Sequence, residues 1–219
     1  MSSRVKYLDY AKGFAIICML LSHAIPQEND IIRTIISGFD MPLFFVVCGC
    51  IIAIKDKDDI SFSGYLRKRI RTIFVPYVIF GVALSLFYCA LSALSNNEID
   101  LWYYLVRLLT FQGVDSLWFL PVYFFAETLF VFIFKKFNSI SRIIIFSFFV
   151  VSVCIFYNMF YIFEGSFILR FIIRILIALI FVYIGYILYK YVMKLYIYIY
   201  NWLVPWSGGI CFKRFCRYL

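Results

Sequence analysis

The sequence predicts an all-α integral membrane protein of about six transmembrane helices with its N-terminus in the cytoplasm. Three observations carry that prediction. Hydrophobic residues make up 65% of the 219, and charged residues only 15%, against about half and about a quarter in a soluble domain. The apolar residues come in long unbroken runs rather than alternating stretches of about ten, which selects helices over a β-barrel. The basic residues are also lopsided: 17 fall on one side of the implied map and four on the other.

The elements follow in order. The first helix runs from about Leu8 to Ala24; its strictly apolar part is short, and it spans if Lys12 snorkels to the surface. The second runs from about Met41 to Ile54, with Asp40 as its cap and Pro42 tolerated in the first turn. The third covers Thr72 to Leu94, with Pro76 near its start. The stretch Trp102 to Leu109 is too short to span comfortably and reads as an interfacial or re-entrant helix. The fourth, fifth and sixth cover Leu117 to Phe134, Ile143 to Phe163, and Phe171 to Tyr189. Residues 1–195 thus form one transmembrane domain, and 196–219 a basic, aromatic cytoplasmic tail ending in Lys213, Arg214 and Arg217.

The loop charges orient this map. Arg33, Arg107, Arg170 and Arg174 follow or precede the outer helix ends. The remaining basic residues, including Arg67, Lys68, Arg69, Arg71, Lys135, Lys136 and Lys190, cluster on the other side. By the positive-inside rule that side is the cytoplasm. The net charge of +9 therefore reports membrane topology and contact with membrane lipid, not nucleic acid. The early run Phe14 to Ile25 has the length of a signal-peptide core, yet no small-x-small cleavage site follows it. Five of the seven cysteines lie in apolar segments, there is no Cys-x-x-Cys, and His23 is the sole histidine. This predicts no metal site.

Three polar features stand where lipid or protein interior belongs. His23 lies toward the outer end of the first helix, 11 residues after Lys12. That step is about three helical turns, so both share one face about 16 Å apart. Asp9, one turn before Lys12, can pair with its ammonium. An imidazole within a membrane helix is either hydrogen-bonded to a neighbouring helix or part of a functional site. Glu127 lies near mid-depth in the fourth helix, where a carboxylate is a structural partner or belongs to a site. Arg67, Lys68, Arg69 and Arg71 crowd the cytoplasmic mouth of the third helix. They anchor the chain to anionic lipid or bind a phosphate-bearing ligand. Together these residues suit a transfer reaction in which a phosphorylated donor docks on the basic groups. Neutral His23 then takes a proton from an acceptor hydroxyl or accepts the group itself.

Four stretches resemble the membrane-bound acyltransferase family 3, which includes bacterial envelope sugar O-acetylases. Tyr7 to Ile16 leading to His23 is similar to the family's basic residue, ten intervening residues, then histidine. Phe39-Asp40-Met41-Pro42-Leu43-Phe44-Phe45 is similar to its Met-Pro-Leu-Phe-Phe segment; Tyr65 to Arg71 leading to Val75-Pro76-Tyr77, and Leu117-Trp118-Phe119-Leu120-Pro121, complete the ordered set. The resemblance implies acetyl-coenzyme A, or another acyl-coenzyme A, as a donor substrate bound from the cytoplasm, with no permanently bound cofactor. It implies a catalytic site at His23, to which Asp9 and Glu127 are added as candidates. Lys12 and the basic residues Arg67, Lys68, Arg69 and Arg71 become the donor-binding set. The acceptor becomes a hydroxyl of a lipid-linked or surface glycan sugar, and the location the bacterial inner membrane.

The chain departs from the family pattern in places. Asp40 stands where histidine is common and Cys48 where serine is common. The spacing from the basic cluster to Pro76 differs from the usual arginine pair. Family members usually have about ten helices, so this sequence reads as a truncated member. The leading expectation is an O-acetyltransferase. The rivals are an inactive copy or non-enzymatic partner subunit, and a small proton-coupled transporter using His23 and Glu127. A transporter would more often show broken helices in two matched halves, which this sequence lacks.

Overall fold

The computed structural model describes residues 6–25, 30–55, 61–95, 101–160, 167–193 and 195. The imidazole of His23 and the tail from 196 lie outside the described residues. Among those described, all regular structure is helical: α1 Lys6–Ala24, α2 Asp30–Lys55, α3 Phe62–Arg69, α4 Val75–Leu94, α5 Leu101–Leu109, α6 Phe119–Lys136, α7 Ser139–Phe160 and α8 Phe167–Ile187. A π turn, Ile70–Phe74, joins α3 to α4; a 3₁₀ turn, Asp115–Trp118, leads into α6; and a second π turn, Leu188–Met193, extends α8.

Among the described residues, three stretches are long and apolar enough to cross a membrane: Thr34–Ile54, Phe62–Leu94 and Phe167–Val192. At most 29% of any of these windows is buried within the protein, so their apolar side chains need lipid to cover them. The other three expected spans fall on α1, α6 and α7. The first two carry three charged residues each, and the apolar stretch of α7 is the shorter Ser139–Ile155.

Two helix starts differ from the sequence expectation. Helix α2 begins at Asp30, so Asp40 is not its cap but a buried residue well inside the helix. The apolar run marks only the lipid-depth part of a helix that starts in more polar sequence. Pro42 sits inside it, as membrane helices tolerate when neighbours satisfy the freed carbonyl. The helix containing Pro76 begins ten residues early, at Phe62, where the Ser61 hydroxyl caps the Gly64 amide at 3.3 Å. Arg and Lys are good helix formers, so a charged run that hydropathy reads as loop continues the helix.

The described residues form two compact units. The first holds α1, α2 and the C-terminal part of α8 with its π turn. Leu8 and Val47 are buried there against Ala11, Leu43, Ile51 and Ile54. Gly49 and Gly185 let α2 and α8 touch backbone to backbone. A Cβ on Gly49 would lie 2.0 Å from the Val182 carbonyl oxygen, and one on Gly185 2.0 Å from that of Val46. Small residues permit this approach, which is how membrane helices gain van der Waals contact without a hydrophobic driving force.

The second unit holds α3 to α7 and the N-terminal part of α8, built around α6. Eleven residues of α6 are buried, among them Phe119, Phe124, Glu127 and Phe130. Phe130 stacks on Phe134, and both rings pack at a tilt against Phe146 where α7 meets it. Arg142 closes its C-terminus, donating to the carbonyls of Phe137 at 2.7 Å and Phe134 at 2.6 Å, the groups a helix end leaves unbonded. Leu108 of α5 fills the notch over Gly81 of α4, and the Tyr77 hydroxyl donates to the Leu108 carbonyl at 2.7 Å.

Candidate functional site

In the second unit, Tyr65 and Arg69 stand four residues apart on α3 and so share a face. Both reach Glu127 in the middle of α6. The Tyr65 hydroxyl donates to Glu127 Oε1 at 2.7 Å, and Arg69 Nη2 donates to the same oxygen in an ion pair. The guanidinium also lies over the Tyr65 ring, 5.1 Å from its centroid. Glu127 is 1% exposed. A carboxylate that deep is tolerable because it is paired. Its second oxygen, Oε2, and the Nε of Arg69 are buried with no hydrogen-bond partner among the described residues. The constellation thus retains one acceptor and one donor.

The other basic residues of α3 and the following turn behave differently. Arg67, Lys68 and Arg71 are exposed, while Arg69 is half-buried. The cluster is therefore partitioned, with one guanidinium turned into the protein and three cations outward. The π turn Ile70–Phe74, which carries Arg71, lies between the rest of the cluster and Pro76. Such a turn holds an extra residue within an otherwise α-helical run. The unusual spacing to Pro76 falls on this locally widened stretch.

The first unit holds Asp9, Lys12 and His23, all on α1. Lys12 is half-buried. Ser22, the residue before His23, is buried; its hydroxyl donates to the Met19 carbonyl at 2.8 Å and lies 3.4 Å from Asp40 Oδ2. Asp40 is 3% exposed, and its other oxygen accepts from the Met41 amide. The carboxylate expected to cap α2 instead packs against α1 beside the turn that carries His23.

The structure thus brings Arg69 and Glu127 together. It adds Tyr65, which the sequence offered only as a motif member, and Asp40, which it offered as a cap and as a motif member. A signal for each existed: Tyr65 is four residues from Arg69 on a helix, and Asp40 is a carboxylate next to an apolar run. Asp9, Lys12 and His23 belong to one unit, and Arg67, Lys68, Arg69, Arg71 and Glu127 to the other.

These features define a helical membrane protein with buried carboxylates anchored between packed helices. The family model described as an acyltransferase domain, that of acyltransferase family 3, matches residues 5–212, and the chain belongs to this family. It is a membrane acyltransferase in that broad sense. The match extends beyond residue 195, past the boundary drawn for the tail. No curated protein and no solved structure matches the chain significantly.

Proposed function

We propose that the protein transfers an acetyl group from acetyl-coenzyme A to a hydroxyl of a cell-envelope or surface polysaccharide sugar, in the inner membrane of a bacterium. The observation that carries this reading is the family match over residues 5–212, which takes in the Lys12 to His23 pair on α1. Exposed Arg67, Lys68 and Arg71, with Lys12, supply cations for the phosphates of the donor at the cytoplasmic face. Glu127 holds Arg69, and Asp9, one turn before Lys12, is placed to pair with its ammonium, so both act as positioning residues rather than at the acyl carbon.

In the reaction, neutral His23 takes the proton of the acceptor hydroxyl as its oxygen bonds to the thioester carbonyl carbon. The carbon–sulfur bond then breaks, and the imidazolium returns the proton to the departing thiolate. The products are an acetyl ester and free coenzyme A. Asp40, beside the turn that carries His23, is suited to orient the imidazole and to stabilise its protonated form.

The test is transfer of labelled acetyl from acetyl-coenzyme A to envelope glycan in membranes carrying the chain, with His23→Ala as the comparison. Transfer that falls to background in the variant is the expected result. No transfer from either protein would favour an inactive copy or a partner subunit. Equal transfer from both would assign the activity elsewhere.

A further inference from the structure

Helix α5 has nine residues, about 13 Å of helix, and cannot cross a hydrocarbon core of about 30 Å. One side is packed inward, where Leu108 is buried in the notch over Gly81. Trp102 and Leu109 stay exposed. A short apolar helix that carries Trp and Tyr belongs where hydrocarbon meets headgroups. Its surroundings are therefore acyl chains and lipid phosphates.

A cavity of about 220 Å³ opens beside this helix, lined by Trp102, Tyr103, Val106, Thr110, Gln112 and Phe167 together with Arg107. The polar groups of the lining are engaged with the protein. The Thr110 hydroxyl donates to the Val106 carbonyl at 2.7 Å, and the Gln112 side-chain amide donates to the Phe167 carbonyl at 2.9 Å. The Tyr103 hydroxyl accepts from Arg107 Nη1 at 3.0 Å. What these residues leave for an occupant is largely methyl, methylene and ring surface. The volume exceeds the roughly 150 Å³ of an apolar cavity that takes benzene. It falls short of the roughly 300–1,000 Å³ of pockets for drug-sized ligands. It suits a stretch of hydrocarbon chain.

The turn after α5 fixes this lining. Phe111 takes φ of 58° and Gly113 φ of 68°, the first uncommon for a bulky residue. The amides of Gln112 and Gly113 both donate to the Arg107 carbonyl, at 2.9 and 3.1 Å. The Phe111 ring packs with Phe74, Tyr77, Phe125 and Phe171. With Phe111 held there, the bond from Gln112 to Phe167 ties the turn to the start of α8. The cavity is therefore a formed feature of the second unit, since a free turn would avoid this backbone shape.

We infer that this cavity holds one acyl chain of a membrane phospholipid, whose phosphate sits on the Arg107 guanidinium. Arg107 lies over the Tyr103 ring, 5.5 Å from its centroid, and the bond between the two side chains is at the exposed surface. A phenol hydroxyl is neutral, so the pair is cationic. A guanidinium matches a phosphate bidentately. Cation and hydrocarbon wall thus stand side by side, as phosphate and chain do in a phospholipid. The bound chain fills the gap between α5 and the start of α8, where a void would forfeit packing contacts. The site lies wholly within the second unit and needs neither coenzyme A nor glycan.

The test takes the full chain from nanodiscs into mild detergent and counts retained lipid by native mass spectrometry. The probes are phosphatidylglycerol, a diacylglycerol with the same chains, and a polyprenyl phosphate. Wild type is expected to keep one phosphatidylglycerol per chain and to bind it at least fivefold more tightly than the diacylglycerol. Val106→Phe, which fills the cavity, should lose the retained lipid. Arg107→Gln should lose the preference for the phosphate-bearing lipid; it leaves the apolar lining intact and keeps the test decisive if Val106→Phe does not fold. No lipid retained by wild type, or retention unchanged in folded Val106→Phe, would overturn the inference. So would a phosphate preference absent from wild type or unchanged in Arg107→Gln. Displacement of phosphatidylglycerol by polyprenyl phosphate at a tenth of its concentration would overturn it in favour of an isoprenoid chain.

Discussion

Asp40 and Glu127 are both buried carboxylates on membrane helices, and they are placed for different work. Glu127 joins α6 to α3 by a charge: its oxygen takes the Arg69 guanidinium and the Tyr65 hydroxyl together. Asp40 joins α2 to α1 beside Ser22, one residue before His23. The difference separates a carboxylate that holds a helix pair from one that stands next to the proposed base. Removing the first should cost stability before chemistry, and removing the second chemistry before stability.

The largest expected effect is on Glu127. Glu127→Ala leaves Arg69 half-buried without its counter-ion, and breaking a buried pair from one side costs about 3 kcal/mol or more. Thermal unfolding of the purified protein should drop sharply. Glu127→Gln, which keeps an acceptor for Tyr65 and Arg69, should lose less. If Glu127→Ala melted like the wild type while acetyl transfer vanished, Glu127 would belong with the chemistry and the contrast with Asp40 would collapse.

Asp40→Asn should show the opposite pattern. It keeps the side-chain volume and an oxygen for Ser22, so unfolding should shift little. Transfer should fall about 100-fold, the scale of a reacting group displaced by about 1 Å. The pH dependence of the remaining transfer should change as well, because in the proposed reaction Asp40 stabilises the protonated form of His23. A loss of stability with transfer per folded molecule intact would make Asp40 a second structural carboxylate.

How much of this was legible in the sequence differs between fold and site. The class of fold was, because nothing else accommodates this much apolar sequence with so few charges. The starts of α2 and of the helical run through α3 into α4 were not, since hydropathy marks the membrane-depth part of a helix and is silent on a helical stretch rich in Arg and Lys. Glu127 announced itself, because an intramembrane carboxylate demands an explanation. Its partner did not: Arg69 is 58 positions away, and three basic neighbours offered the same charge. Only packing decides which guanidinium turns inward. Asp40 was misread as a cap because a carboxylate before an apolar run has that meaning in a soluble helix.

The inward turn of Arg69 also sets apart the exposed cations beside it, and the smallest prediction probes that division. Arg71→Gln removes an exposed charge, so stability should stay within about 0.5 kcal/mol of wild type. A single exposed ionic contact contributes about 0.2–1 kcal/mol, so coenzyme A should bind up to about fivefold more weakly, and less so as salt rises. Arg69→Gln, by contrast, removes the counter-ion of Glu127 and should lower the unfolding temperature. If calorimetry found coenzyme A binding unchanged by Arg71→Gln at low salt, and unchanged again when Arg67 and Lys68 were neutralised, the outward cations would be membrane anchors. The donor phosphates would then have to be met by Lys12 or by Arg69 itself, whose Nε is still without a hydrogen-bond partner among the described residues.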